Sequence, residues 1–315
     1  VKVLVTGAAG FIGSHLAERL KALGHDVTGL DCLTNAYSSA LKESNVEALV
    51  SRGIKVLRLD LANDDLKAAV DGAEVVYHLA AQPGLSATTS FETYERNNVL
   101  ATHRLLEAVK GSRSLKGFLN ISTSSVYGAD ATGNEESVPR PTSYYGVTKL
   151  AAEQLALAYQ RSQGVPVASF RLFSVYGPRE RPEKLYPTLI RAILEDKPFT
   201  LYEGSEHHIR SYTYVDDIVA GLMAPLKVLD RCVGEIFNLG TTASTTTGEG
   251  IRIVEELLGK KARVVRTPRR AGEQDRTHAD IAKARRVLCY NPSTSLVDGL
   301  KRTVPWFREH MALME

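Results

Sequence analysis

Cysteine and tryptophan are scarce, with three Cys and one Trp in 315 residues. Cys32, Cys232 and Cys289 stand far apart, without the spacing of a metal site or a redox pair. No metal is expected, and unpaired thiols suit a reducing compartment. Charge imbalance is lacking too: 39 basic and 36 acidic residues leave a net charge of +3, so no bulk field argues for nucleic acid. No stretch of about 18 apolar residues occurs, as a membrane span would need. A signal-peptide pattern is also missing, because the chain enters a strand at once. No membrane association and a cytoplasmic location are therefore expected. Numbering begins at Val1, where an initiator Met is expected to have been trimmed or left out. Internal repeats and low-complexity segments are absent; Thr241 to Thr247 is only a Thr-rich loop. What remains is ordinary globular composition, 43% hydrophobic and 24% charged, in a chain long enough for one large or two closely joined domains.

The β-branched run Val1-Lys2-Val3-Leu4-Val5 leads directly into TGAAGFIG, Thr6 to Gly13. A helix from Ile12 to Leu23 is expected next, closed by Gly24. Gly7, Gly10 and Gly13 let the backbone turn tightly and approach a pyrophosphate seated on the helix N-terminus. Phe11 and Ile12, at the start of that helix, are counted with them as cofactor contacts. The spacing is Gly-x-x-Gly-x-x-Gly rather than the commoner Gly-x-Gly-x-x-Gly. A second strand, Asp26 to Leu30, ends at Asp31, whose carboxylate can accept both hydroxyls of an adenosine ribose and would repel a 2′-phosphate. NAD is expected rather than NADP, and Cys32-Leu33 supply no cation to reverse that preference.

Ile54 to Leu59 reads as a third strand, with Asp60 and Leu61 placed to meet an adenine edge. Val75 to Leu79 reads as a fourth. Leu79, Ala80 and Ala81 end it with small or apolar side chains that leave room for a ribose and nicotinamide. Phe91 to Lys110 reads as a long helix with Asn98 inside it, weighed both as a packing residue and as a cofactor contact. Strands alternating with helices predict an α/β fold, a doubly wound parallel sheet of Rossmann type, with its site at the carboxyl ends of the strands.

Thr123 falls at such an end, after the buried run Phe118 to Ile121. Tyr145 and Lys149 follow four residues apart in a segment of helical character running to about Ser162, so they share one helix face. A hydroxyl facing a phenol and an ammonium is a device for making phenolate. Free Tyr titrates near ~10 and must fall by roughly three units to act as a base near neutrality, about 4 kcal/mol. The Lys cation and a cationic nicotinamide ring together could supply that.

Val167 to Leu172 is a further buried strand. Beyond it the pattern turns irregular and rich in Pro and Arg, and a smaller, discontinuous C-terminal substrate lobe is expected. The expected division is 1–173 for the dinucleotide, with 211–239 returning to it, and 174–210 with 240–315 for the substrate lobe. Helices are expected from Pro187 to Leu194, from Asp217 to Leu229 with Asp216 as cap, from Gly248 to Leu258 and from Ser295 to His310. Strands are expected at Phe199 to Tyr202, Ser211 to Tyr214 and Glu235 to Leu239.

These residues carry a signature. TGAAGFIGSH, Asp31, HLAAQ at 78–82, ISTSSVYG, YYGVTK, VYGPRERP at 175–182, YVDDI, FNLG and AD-x-x-KA at 279–284 resemble the extended short-chain dehydrogenase/reductase family of nucleotide-sugar enzymes over nearly the whole chain. The resemblance implies a Thr123/Tyr145/Lys149 catalytic set acting with NAD. It implies a UDP-sugar substrate, with Tyr202 against the base and Arg210 and Arg270 at the diphosphate; Arg179 is counted with these contacts. It also implies a homodimer formed through a four-helix bundle by the helices around 91–110 and 143–162.

Within that family the two residues after Thr123 face the sugar near C5 and C6. Dehydratases carry Asp-Glu there and uronate decarboxylases an acid, whereas this chain has Ser124-Ser125. Chemistry at C4 is therefore expected, with Ser124, Ser125 and Ser174 hydrogen-bonding a C6 substituent. The resemblance is nearest to UDP-glucuronate 4-epimerases, although Leu85-Ser86 stand where those often carry Arg. The other readings are a 4-epimerase of UDP-glucose or a UDP-N-acetylhexosamine, a UDP-glucuronate decarboxylase, and an NAD-retaining binding protein without catalysis.

Overall fold

The computed structural model describes residues 1–84, 88–268, 274 and 276–314. Seven strands form its central sheet: β1 (Lys2–Thr6), β2 (Asp26–Leu30), β3 (Lys55–Leu57), β4 (Val75–His78), β5 (Gly117–Thr123), β6 (Val167–Leu172) and β7 (Ile236–Leu239). Their spatial order is β7-β6-β5-β4-β1-β2-β3, and every neighbouring pair is parallel. The central strands are buried along their length, as apolar runs covered by helices on both faces must be. One core cluster, on α1 (Phe11–Ala22), joins Leu16, Leu20, Phe170 and Phe237; a second joins Leu105, Leu106, Phe118 and Leu157. Strand order reverses between β1 and β4, so a crevice opens at their carboxyl ends.

Most expected elements are present with shifted ends. The third strand stops at Leu57 rather than Leu59. The helical segment α2, residues 91–109, is interrupted by a π turn over Glu95–Leu100, an irregularity often found beside functional sites. The helix carrying Tyr145 and Lys149 is α3 (Tyr144–Gln163), started by the Ser143 side chain and stopped by Gly164 in a left-handed conformation. Helix α4 (Leu185–Leu194) begins two residues before Pro187.

The expected helix from Asp217 to Leu229 is instead α5 (Val215–Met223), capped at Tyr214. Asp216 and Asp217 lie in its first turn, where carboxylates favour the helix dipole. Pro225 then opens a short 3₁₀ turn, ending the α-helix six residues early. The expected strand from Ser211 to Tyr214 is two short ones, Ile209–Arg210 and Thr213–Tyr214. Ile209–Arg210 joins a small sheet with Thr245–Thr246, Arg276–Thr277 and Asp130–Ala131. Pro198–Tyr202 pairs with Arg263–Thr267. These small sheets, with α6 (Thr247–Leu258) and α7 (Leu296–Glu309), stand beyond the carboxyl ends of the large one.

Candidate active site

A cleft of roughly 670 Å³ runs along the strand ends from the glycine loop to the small sheets. Gly7 has φ +70°, and a Cβ there would meet the Ala80 nitrogen at 2.8 Å. At Gly13 a Cβ would meet the Gly7 carbonyl at 2.1 Å. Only glycine fits either place, and the loop is thereby pressed flat beneath the cleft. The N-terminus of α1 has no side-chain cap, so its backbone N–H groups suit a phosphate.

Asp31 ends β2 with Oδ2 accepting from the Ala9 N–H at 3.0 Å and Oδ1 from the Leu33 N–H at 2.8 Å. Each oxygen keeps a lone pair for a ribose hydroxyl. Gly7, Gly10, Phe11, Ile12, Gly13, Asp31, Asp60, Leu61, Leu79, Ala80 and Ala81 all line the cleft. A pressed glycine loop, an open helix N-terminus and a half-occupied carboxylate form a cradle that fits NAD. Asp60, however, directs its carboxylate at the Ala62 N–H and the Arg96 guanidinium.

Asn98 does not line the cleft; its neighbour Asn97 does. Its Oδ1 accepts from the Gln82 N–H at 2.7 Å and its Nδ2 donates to the Thr148 hydroxyl at 3.0 Å. It thus ties the loop after β4 to α3. The π turn carries this buried amide.

Thr123, Ser124, Ser125, Tyr145 and Lys149 all line the cleft. The Thr123 hydroxyl accepts from the Ser125 N–H at 3.1 Å and lies 3.3 Å from the Ser125 hydroxyl. It also bonds the Tyr145 phenol, which draws that group's pKa down together with the Arg181 charge; burial outweighs both and pushes it above its ordinary value. Lys149 is buried, and burial lowers it to about 8 against the raising effect of Glu153. The protein alone therefore does not make the phenolate, contrary to what the Tyr–Lys pair alone suggests. Removing ions from water favours both neutral forms. His78 lies beneath, lowered by burial to about 3, with both ring nitrogens engaged by Thr6 and Thr102.

Ser174, Tyr202 and Arg210 line the far part of the cleft. The Arg210 guanidinium leans on the Gln274 carbonyl and His208, while the Gln274 amide donates to the Gly128 carbonyl at 2.7 Å. Arg270, Leu85 and Ser86 lie outside the described residues. Arg179 turns away from the cleft: with φ +67° it reaches back to Glu18 of α1 at 2.9 Å. Arg181 lines the cleft instead, near enough to Tyr145 for its charge to act on the phenol. Nothing in the sequence separates these two arginines, because the left-handed turn at Arg179 decides which one faces inward. Glu180, Lys184, Tyr212, Thr247 and Gln274 also line the cleft without having been expected there. Among the described residues no group of three or more His, Cys, Asp or Glu could hold a metal.

The switch-point cleft and the Thr123–Tyr145–Lys149 cluster define a Rossmann-type protein of the extended short-chain dehydrogenase/reductase class. The family model for "NAD dependent epimerase/dehydratase family" matches residues 3–240. An uncharacterized UDP-glucose epimerase, YtcB of Bacillus subtilis, is 38% identical over 97% of this chain and 98% of its own. The UDP-glucuronate 4-epimerase of Thermodesulfobacterium geofontis is 36% identical over 99% of this chain and 98% of its own. A crystal structure of the UDP-glucuronic acid 4-epimerase from Bacillus cereus, in complex with UDP-glucuronic acid and NAD, superposes with a TM-score of 0.94 at 39% identity. That likeness covers 98% of this chain and all of the other. This chain belongs to the NAD dependent epimerase/dehydratase family.

Proposed function

We propose that the protein interconverts UDP-glucuronate and UDP-galacturonate by NAD-dependent epimerisation at C4. The observation that carries this reading is the pair of neutral hydroxyls, Ser124 and Ser125, beside Thr123, Tyr145 and Lys149 in one cleft. Dehydration at C5 and C6 needs an acid and a base after Thr123, and this chain has neither there. The uronate epimerases among its relatives support the same reading.

NAD⁺, when bound, would supply a reversible hydride acceptor for C4 and a positive charge that opposes the effect of burial on the Tyr145 phenol. Gly7, Gly10, Phe11, Ile12 and Gly13 hold its pyrophosphate side. Asp31 holds the adenosine ribose and disfavours a 2′-phosphate. Tyr145 takes the proton from the sugar 4-hydroxyl and gives it back after the 4-keto sugar turns over. Thr123 bonds the same oxygen, and Lys149, mostly ammonium at neutral pH, favours the phenolate. A 4-keto uronate is a β-keto acid, so its carboxylate must be held out of alignment for loss of CO₂. Ser124, Ser125 and Ser174 are assigned to that task, with Arg181, which lines the same cleft and is paired with Glu183 at 2.7 Å, as the cation near Tyr145. Tyr202 and Arg210 are assigned to the base and diphosphate, and 174–210 with 240–315 to the nucleotide-sugar lobe. The dinucleotide is assigned to 1–173 with 211–239.

A second copy of the chain is assigned to the outer face of α2 and α3. Phe91, Leu100, Tyr144 and Val147 are 39%, 44%, 59% and 44% exposed there, an apolar patch across two packed helices. Unpaired Cys32, Cys232 and Cys289 support a cytoplasmic location, and among the described residues no helix is long and apolar enough to cross a membrane. The experiment that tests the activity is incubation with UDP-sugars, without added reductant, and separation of the products. UDP-galacturonate formed from UDP-glucuronate supports the reading, and failure to convert any UDP-uronate refutes it.

A further inference from the structure

Glu180 lines the same cleft and has no part in the cycle above. Its side chain is 6% exposed, and Oε2 is sealed from solvent without a hydrogen-bond partner. The segment reaches it by a tight turn in which the Glu180 N–H donates to the Gly177 carbonyl at 3.2 Å. Three phenols from other elements stand near enough to feel its charge: Tyr176, Tyr186 of α4, and Tyr212. Their rings form one cluster, with centroids 5.5 Å apart for Tyr176–Tyr186 and 5.1 Å for Tyr186–Tyr212. Arg181, Glu183 and Lys184 act on it from its own segment.

A carboxylate in that position would be uncompensated on one oxygen and would repel any anion entering the cleft. Burial opposes ionisation for the same reason. Lys184 and Arg181 favour the charged form, but burial outweighs them and raises Glu180 to about 8. At neutral pH the group is therefore mostly a carboxylic acid, which carries an O–H donor that a carboxylate lacks. A carboxylic acid kept neutral by an apolar site is a known way of placing a donor against a developing or standing negative charge.

We propose that Glu180 recognises the nucleotide sugar as a neutral acid, donating a hydrogen bond from Oε1, the oxygen that is not sealed, to an anionic oxygen of the ligand. The assignment rests on the UDP-sugar reading above and adds a contact that sets how affinity depends on pH. The sign follows from the charge: below the Glu180 pKa the donor is present, and as pH rises through it the donor is lost and a like charge appears. UDP-glucuronate has no group of its own that titrates in this range, so the dependence belongs to the protein.

The test is calorimetric titration of UDP-glucuronate into the NAD-loaded Tyr145→Phe protein, whose missing phenol prevents turnover. Between about pH 6.5 and 8.5 the apparent Kd is expected to rise severalfold, since only the acid form binds well. Proton uptake on binding is expected to increase over the same pH range, read from buffers of different ionisation enthalpy. Adding Glu180→Gln, which keeps a donor that does not titrate, is expected to reduce the pH dependence to the share that Lys149 contributes and to abolish the Glu180 share of the uptake. Glu180→Leu removes the donor and is expected to weaken binding about fivefold at the acid end. Equal pH dependence with and without Glu180→Gln overturns the assignment and leaves the UDP-sugar reading standing, as does undiminished affinity in Glu180→Leu. No binding of UDP-glucuronate to the parent protein overturns both.

Discussion

Arg171 holds Glu153 by two parallel hydrogen bonds, 3.0 Å from Nε and 2.7 Å from Nη2, one helical turn beyond Lys149. The side chains of the pair are 2% and 0% exposed. The third guanidinium nitrogen donates to the Tyr127 phenol at 2.9 Å, and that phenol donates to Asn238 at 2.8 Å. Helix α3, the loop that follows Thr123 and strand β7 are thereby joined beneath the site. A buried pair often stabilises no more than apolar side chains of similar size, but removing one partner is costly. Here the pair also keeps a negative charge near Lys149, which raises that group's pKa against burial.

That charge predicts a shift in pH dependence. The Lys149 ammonium is present below about 8 and is lost as pH rises through that value, so kcat is expected to fall on the alkaline side. Glu153→Gln removes the raising influence and should move that limb to lower pH. The readout is kcat against pH at a temperature where the variant remains folded, and an unmoved limb rejects the coupling.

Tyr145→Phe removes only the titrating oxygen. Epimerisation is expected to cease while NAD stays bound, checked by product analysis and by cofactor absorbance after gel filtration. A variant keeping more than about a tenth of the rate, a loss under about 1.4 kcal/mol, would refute the assignment.

Asp31 keeps one lone pair on each oxygen for a ribose. NAD⁺ should bind far better than NADP⁺, and Asp31→Ala should narrow the gap. Fluorescence titration of both cofactors measures it; equal affinities in the unmodified protein would show the Asp31 reading wrong.

If Ser124, Ser125 and Ser174 hold a carboxylate, UDP-glucose should be a poor substrate. Charge-assisted bonds contribute roughly 1.5–3 kcal/mol each, so losing two lowers specificity at least about a hundredfold. Ser125→Ala should weaken the preference and raise the share of decarboxylated pentose. Comparable kcat/KM values on UDP-glucose and UDP-glucuronate in the unmodified enzyme would leave a generic 4-epimerase.

The exposed patch on α2 and α3 predicts a dimer. Light scattering at micromolar concentration should give twice the chain mass, and Leu100→Glu together with Val147→Glu should halve it. A monomeric mass for the unmodified protein counts against the second-copy assignment.

Features set by short-range spacing were legible in the sequence. Three glycines between a strand and a helix, a carboxylate at a strand end and Tyr145 four residues before Lys149 describe geometry that local backbone rules impose. Each is found where that spacing requires. The alternation of strands and helices similarly foretold a parallel sheet, because crossovers are needed to join parallel strands. Element ends were less legible: the helix expected to run to Leu229 ends at Met223, just before Pro225.

Tertiary structure decided what depends on direction and dielectric. Arg179 and Arg181 are two residues apart with the same chemistry, yet a left-handed backbone at Arg179 sends one to Glu18 and the other into the cleft. Asn98 looked equally suited to cofactor or scaffold until Gln82 and Thr148, far away in the chain, took its amide. Proton affinities at Tyr145, Lys149 and Glu180 follow burial by residues brought together from several elements. A residue's position and type can be read from local order, but the free energy of its charge depends on everything within a few ångströms, and only the folded chain determines that company.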